Sequence, residues 1–193
     1  MRSLTHLRFF IASAAAMLLG GCLVSDLPVL DSKTGKARPI SEGDYLACPL
    51  ENGEIADGAE CDRFHVERTA NGEYVFVEGG DSEPARLRFR KVARDGYAVQ
   101  SAESDSFVYY YGKTRSGGLL LVMMNCPELP SDLRARLISR GDLETDDEDF
   151  EVCKVKTLRG LVEAAQAYHR GDASQMKDAA ILITPAPPLA EME

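Results

Sequence analysis

Several groups of side chains in this sequence have the types and spacing to do chemistry. Cys48, Cys61, Cys126 and Cys153 come first. None of them stands in Cys-x-x-Cys spacing and histidines are scarce, so zinc finds no ligand set. Disulfides fit better, and four cysteines allow three pairings. Cys48–Cys61 and Cys126–Cys153 each bracket one continuous local segment, and those two bonds are expected. His65 and His169 come next, the first in a predicted strand and the second in a helix's last turn, where a cation complements the dipole. No Gly-x-Ser-x-Gly elbow or His-Glu-x-x-His helix accompanies them. Asp142, Glu144, Asp146, Asp147, Glu148, Asp149 and Glu151 offer calcium many oxygens. They lack the alternating ligands, central glycine and closing Glu of an EF-hand loop. The run reads as a solvated loop, or as a face for a cationic protein. No catalytic residue, metal or cofactor is expected.

Two further patterns point to binding rather than catalysis. Arg86, Arg88 and Arg90 alternate along one strand face, about 7 Å apart. Such a row suits phosphates or carboxylates, or else a solvent face paired with glutamates. Phe107, Tyr109 and Tyr111 share a strand face with Val108 and Tyr110 opposite. Aromatics at period two can line a ligand cavity in a small barrel, or pack a core.

The elements that would hold these residues are mostly short strands. Arg63–Ala70 and Glu73–Glu78 flank Asn71-Gly72, the turn dipeptide a hairpin favours. Ala85–Lys91 alternates strictly, Asp95-Gly96 turns the chain into Tyr97–Ala102, and Phe107–Gly112 pairs with Leu119–Asn125 around Ser116-Gly117-Gly118. Consecutive hairpins without intervening helices make an antiparallel meander. Leu119–Met124 is apolar on both faces and so needs a cover. Two helices can supply it: one capped by Ser131 and stopped at Gly141, the other capped by Thr157 and ended by Gly171. Glu151–Lys156 and Ile181–Thr184 read as two more strands. The expected fold is α+β, a curled antiparallel β-meander or partly open barrel packed by helices Ser131–Arg140 and Leu158–Arg170.

The first residues carry a different signal. Arg2 and Arg8 form a basic region before the apolar run Phe9–Leu19, whose 11 residues suit a signal peptide. A membrane-spanning helix needs about 20. The run closes on Leu18-Leu19-Gly20-Gly21-Cys22, which resembles the lipobox of a bacterial lipoprotein precursor. The resemblance covers these 22 residues and implies cleavage before Cys22, with diacylglycerol on its thiol. It also implies outer-membrane delivery, facing the periplasm, because Leu23 rather than Asp follows the cysteine. The oxidising envelope then permits the disulfides.

The chain thus divides into a leader at 1–21, a lipidated N-terminus and flexible tether at 22–43, one domain at 44–184 and a Pro-rich disordered tail at 185–193. Leu27, Val29 and Leu30 are the tether residues able to dock instead. Loss of Arg2 and Arg8 with the leader takes the formal charge from −9 to −11. A domain this acidic, with no basic cluster to offset it, repels nucleic-acid phosphates. The expected partners are therefore the membrane, through the lipid, and a cationic envelope protein. The expected function is a non-enzymatic, membrane-anchored envelope lipoprotein acting as a binding or assembly module. A lipocalin-like carrier of an apolar ligand and an acidic inhibitor of a cationic cell-wall hydrolase are the alternatives. A hollow, aromatic-lined interior would favour the carrier, and a filled one protein binding.

Overall fold

The computed structural model describes residues 21–51, 53–55, 57–79, 83–115, 117–145, 152–171 and 180–188. In chain order the strands are β1 (Leu23–Ser25), β2 (Gly43–Glu51), β3 (Glu54–Ile55), β4 (Asp62–Arg68), β5 (Tyr74–Glu78) and β6 (Ala85–Lys91). There follow β7 (Gly96–Ala102), β8 (Phe107–Arg115), β9 (Gly118–Met123) and helix α1 (Ser131–Ser139). The last described elements are β10 (Leu143–Thr145), β11 (Cys153–Val155), helix α2 (Leu158–Arg170) and β12 (Ala180–Pro185).

Local chemistry accounts for the hairpins. Gly72 takes φ 85° in the β4–β5 turn, a conformation open to glycine. The alternation of β6 puts Leu87 and Phe89 inward and the arginines outward. β2, β4, β5, β6, β7, β8 and β9 pair antiparallel in a meander, broken only where the short β3 folds back on β2.

The fold differs from the α+β, partly open expectation. It is mostly β, and its eight-stranded antiparallel barrel is closed. β12 is responsible: Ile183 pairs with Ala47 of β2 on one side and with Leu119 of β9 on the other. Closure removes both free edges of the meander. Gly118 permits the close approach, since a Cβ there would collide with the Ile183 carbonyl oxygen. The two helices are short and lie outside the barrel, not as a second layer of an α+β sandwich.

Alternation along the strands creates two cores. Tyr45, Phe64, Val66, Tyr74, Phe76, Leu87, Phe89, Tyr97, Val99, Leu119, Leu121 and Ile183 fill the barrel. Their partners on the other face, among them Ala98, Tyr109, Tyr111, Leu120 and Val122, form an outer core with α1, α2 and the side sheet. That side sheet runs β10-β11-β1 and joins the barrel where β1 pairs with the start of β8. Thr157 caps α2 by accepting from Gly160 N at 3.0 Å. Ser131 does not cap α1; Pro130 holds that position and no side chain caps it. Gly141 at φ 70° ends α1, and Asp142 N then donates back to Leu137 O at 2.9 Å.

Residues 22–43, expected as a flexible tether, lie against the barrel. Leu23 and Leu30 are fully buried. Gln100 on the outer face of β7 fixes this strap: its Oε1 accepts from Val29 N at 2.8 Å and Leu30 N at 2.7 Å, and its Nε2 donates to Leu30 O at 3.1 Å. Further along, Ala37 N donates to Phe89 O at 2.8 Å. The apolar residues of the strap keep no period because they dock singly into separate gaps. Further on, Ala186 N donates to Asp44 O at 2.9 Å, inside the stretch expected as a disordered tail.

Candidate functional site

The disulfides are those the local brackets favour. Cys48–Cys61 closes the loop carrying β3, and Cys126–Cys153 staples the exit of β9 to β11. Cys22 lies outside both and is 3% exposed. It bridges antiparallel to Asn125, with its Sγ 3.1 Å from Met123 Sδ. Burial pushes its thiol pKa up. Leu23 N donates to Met124 O at 2.8 Å, and Cys126 N donates to Gly21 O.

The arginine row is engaged with the protein itself. Arg86 Nη1 lies 3.2 Å from Glu73 Oε2, and Arg88 Nη2 lies 3.4 Å from Glu73 Oε1. Arg88 also donates to Asn71 O and Arg90 to Thr34 O, each at 3.1 Å. The row thus holds the β4–β5 turn and the strap. Arg86 and Arg88 nevertheless line one cleft of about 360 Å³ together with Phe107, Gln100 and Asp31. The structure therefore joins two sequence patterns that had no link in the chain.

The aromatic strand does not face a lumen. Tyr109 and Tyr111 belong to the outer core and are fully buried, and Phe107 packs at its edge. Ser25 Oγ donates to Leu27 O at 2.7 Å and so accepts from the Tyr109 hydroxyl at 2.6 Å. The Tyr111 hydroxyl meets His169 Nδ1 at 2.7 Å, across the gap that Gly96 leaves. Burial pushes the hydroxyl pKa values of Tyr109, Tyr110 and Tyr111 up to about 12. The hydroxyls of Tyr109 and Tyr111 therefore serve as neutral hydrogen-bonding groups at neutral pH. The barrel interior is filled by other rings: Tyr45 stacks on Phe64 at 6.2 Å, Phe64 meets Phe76 at 5.1 Å, and Tyr74 sets its edge on Phe89 at 5.2 Å.

His65 sits on the outer face of β4, its Nδ1 2.6 Å from Asp44 Oδ1. Of the acidic run, residues 146–149 and 151 lie outside the described residues. Asp142 is no part of a solvated loop, being 0% exposed and ringed by Arg140, Arg159 and Thr157. Among the described residues no three His, Cys, Asp or Glu side chains converge as a metal site would require. No helix there is long and apolar enough to cross a membrane.

Sequence reasoning missed a polarity that the barrel creates. Antiparallel pairing places the described residues of the 51–61, 79–84 and 103–106 loops at one end. Glu51, Glu54, Asp57, Glu60, Glu83, Glu103 and Asp105 are exposed there, and these three loops hold no Lys or Arg. The described residues of the 69–73, 92–95 and 116–117 turns lie at the opposite end, with the later strap residues 36–42. Exposed Lys36, Arg38, Lys91, Arg94 and Arg115 gather there. The signal was present as hairpin turns of alternating charge, and the closed register was needed to sort them.

What the fold and its surface define is a small closed antiparallel barrel with a filled interior, a stapled outer cap and ends of opposite charge. No family model, curated protein or solved structure matches the chain.

Proposed function

We propose that this chain is a non-enzymatic, membrane-anchored envelope lipoprotein whose barrel is a binding module, meeting a cationic envelope protein at its acidic end. The filled interior carries this reading. An eight-stranded barrel is just wide enough to be plugged by side chains or to hold one small ligand, and here Tyr45, Phe64, Tyr74, Phe76 and Phe89 occupy that space. The form is compatible with a lipocalin-like carrier, but these rings packed across its lumen favour binding at the surface. There the loops without a cation supply the field. A one-signed patch acts mainly on encounter rate, and screening by salt weakens it, the Debye length being about 8 Å at physiological strength.

The anchor places one demand on the molecule. Cys22 Sγ is buried against Met123, and a thioether-linked glyceride needs space there. The anchored form therefore requires residue 22 to leave the Asn125 bridge, and lipidation to precede folding.

Crosslinking in the envelope tests the module. Glu51→Gln, Glu54→Gln and Glu103→Gln together should slow capture of the partner and flatten its salt dependence without unfolding the barrel. Capture that ignores both charge and salt sinks the acidic-end reading. Separately, blocking the lipoprotein signal peptidase should accumulate an uncut precursor, and Cys22→Ser should keep the protein out of the detergent phase. A wild-type protein that stays water-soluble refutes the anchor alone.

A further inference from the structure

The basic end holds a cleft of about 430 Å³ lined by Arg38, Pro39, Ile40, Ser41, Glu42, Arg68 and Tyr74. Strap residues 38–42 form one wall, and the ends of β4 and β5 form the other. Tyr74 is committed to structure, since its hydroxyl donates to Ile40 O at 2.9 Å and so holds the strap in place. Arg68 lies over the Tyr74 ring, with Cζ 5.9 Å from its centroid. Its Nε is buried and has no hydrogen-bond partner. A buried donor without an acceptor is costly to a fold, and a charged donor more so. This guanidinium therefore keeps donor capacity that the protein does not use. Among the described residues neither Arg38 nor Arg68 forms an ion pair, in contrast to Arg86 and Arg88 on β6. Glu42 lines the same cleft without pairing to either arginine.

We propose that this cleft is an oxyanion site for a phosphate group, held between the guanidinium groups of Arg68 and Arg38 with the Ser41 hydroxyl as a further donor. Guanidinium forks match phosphate oxygens two at a time, which a lysine cannot do. Lys36, Lys91, Arg94 and Arg115 around the same end raise the local concentration of anions, although the chain as a whole is acidic. The phosphate can be a free ion or the diester of a headgroup or polymer, and the site's chemistry is the same for both. The inference is independent of the proposed acidic-end partner, which would meet the opposite end of the barrel.

Calorimetric titration of the full chain in non-ionic detergent tests it, with inorganic phosphate and dihexanoylphosphatidylglycerol as probes. Wild type should bind at least one of them at millimolar concentration or below. Arg38→Gln and Arg68→Gln should each weaken that binding at least tenfold. Arg38 is exposed, so its variant keeps the fold even if loss of the Arg68 stem loosens Tyr74. Tighter binding of the inorganic ion assigns the site to free phosphate, and tighter binding of the lipid assigns it to a diester. Binding that persists unchanged in Arg38→Gln, or no binding of either probe, overturns the proposal.

Discussion

Replacing Asp142 by Asn tests how the outer cap is held. The residue is 0% exposed. Its carboxylate accepts from Arg140 Nε at 2.9 Å, Arg159 Nε and Nη2 at 3.0 Å, and Thr157 Oγ1 at 2.6 Å. Its backbone oxygen takes Lys156 N at 3.0 Å. One side chain thus ties the end of α1 to the start of α2 beside β10. Breaking a fully buried ion pair costs about 3–5 kcal/mol. Arg159, however, is 60% exposed and Arg140 31%, so water recovers part of their charge. Asn keeps one acceptor oxygen but turns an NH₂ toward guanidinium donors. The expected loss is about 2 kcal/mol at neutral pH, near one charge-assisted hydrogen bond. Urea unfolding should show it as a lower midpoint at unchanged slope. The pH dependence has a definite sign. Burial opposes the charge, but hydrogen bonds from Arg159 and Thr157 and the charges of Arg159 and Arg140 outweigh it, holding the carboxyl below its ordinary value. A depressed folded value stabilises fully above the unfolded carboxylate range, about 3.9, and the gain is lost as pH falls through the folded value. Wild type and variant should therefore converge in acid. Equal stability at pH 7, or a gap that survives full protonation, would refute the reasoning.

The backbone beside Asp142 gives a second expectation. Gly→Ala inside a helix ordinarily stabilises by roughly 0.5–1 kcal/mol, but a Cβ on Gly160 would meet Asp142 O and Cβ at 2.9 Å. Gly160→Ala should lower the thermal midpoint, and a rise would show that the cap has slack. For the disulfides, the loop model gives about 3 kcal/mol for Cys48–Cys61 and about 3.5 for Cys126–Cys153, whose separations are 13 and 27 residues. Cys126→Ser with Cys153→Ser should therefore cost more, because it also frees β11 and places hydroxyls at fully buried positions; a smaller loss than for the Cys48/Cys61 pair would contradict the stapling role.

What the sequence made legible was local. The Asn71-Gly72 hairpin, the strict alternation of Ala85–Lys91, the Thr157 cap and both disulfide brackets depend on residues close in the chain, and the structure contains them all. Closure was not legible, because Ile183 meets Ala47 and Leu119 across long separations and nothing in Ala180–Pro185 names its neighbours. The same gap hid the facing of Tyr109 and Tyr111. Alternation shows that they share a side, and only closure shows that side to be the outer one, leaving Tyr110 toward the interior. Gln100 is, with Ser101, one of two polar side chains in an otherwise apolar buried strand. Its position beside the core residue Val99 was the available signal, since a buried amide needs partners from another segment.

The strap brings the proposed anchor and the fold into competition for the same residues. Docked, Leu23 and Val24 lie between β8 and β11, which places Cys22 at the barrel end where Glu103 and Asp105 stand. An acyl chain leaving from there would turn the acidic loops toward the bilayer and away from a partner. Released as far as Val29, eight residues reach at most about 28 Å. That is enough for the barrel to tip and present those loops sideways. The natural stop for such a release is Gln100, because its amide holds Leu30 through both N and O while Leu30 itself is fully buried. Beyond that point the Ala37–Phe89 hydrogen bond and the Tyr74–Ile40 hydrogen bond bind the strap again. The part of the chain that the lipid needs free is thus itself paired with β8 and β11, so its release costs that pairing and the burial of Leu23, whereas the part that forms the basic cleft stays fixed.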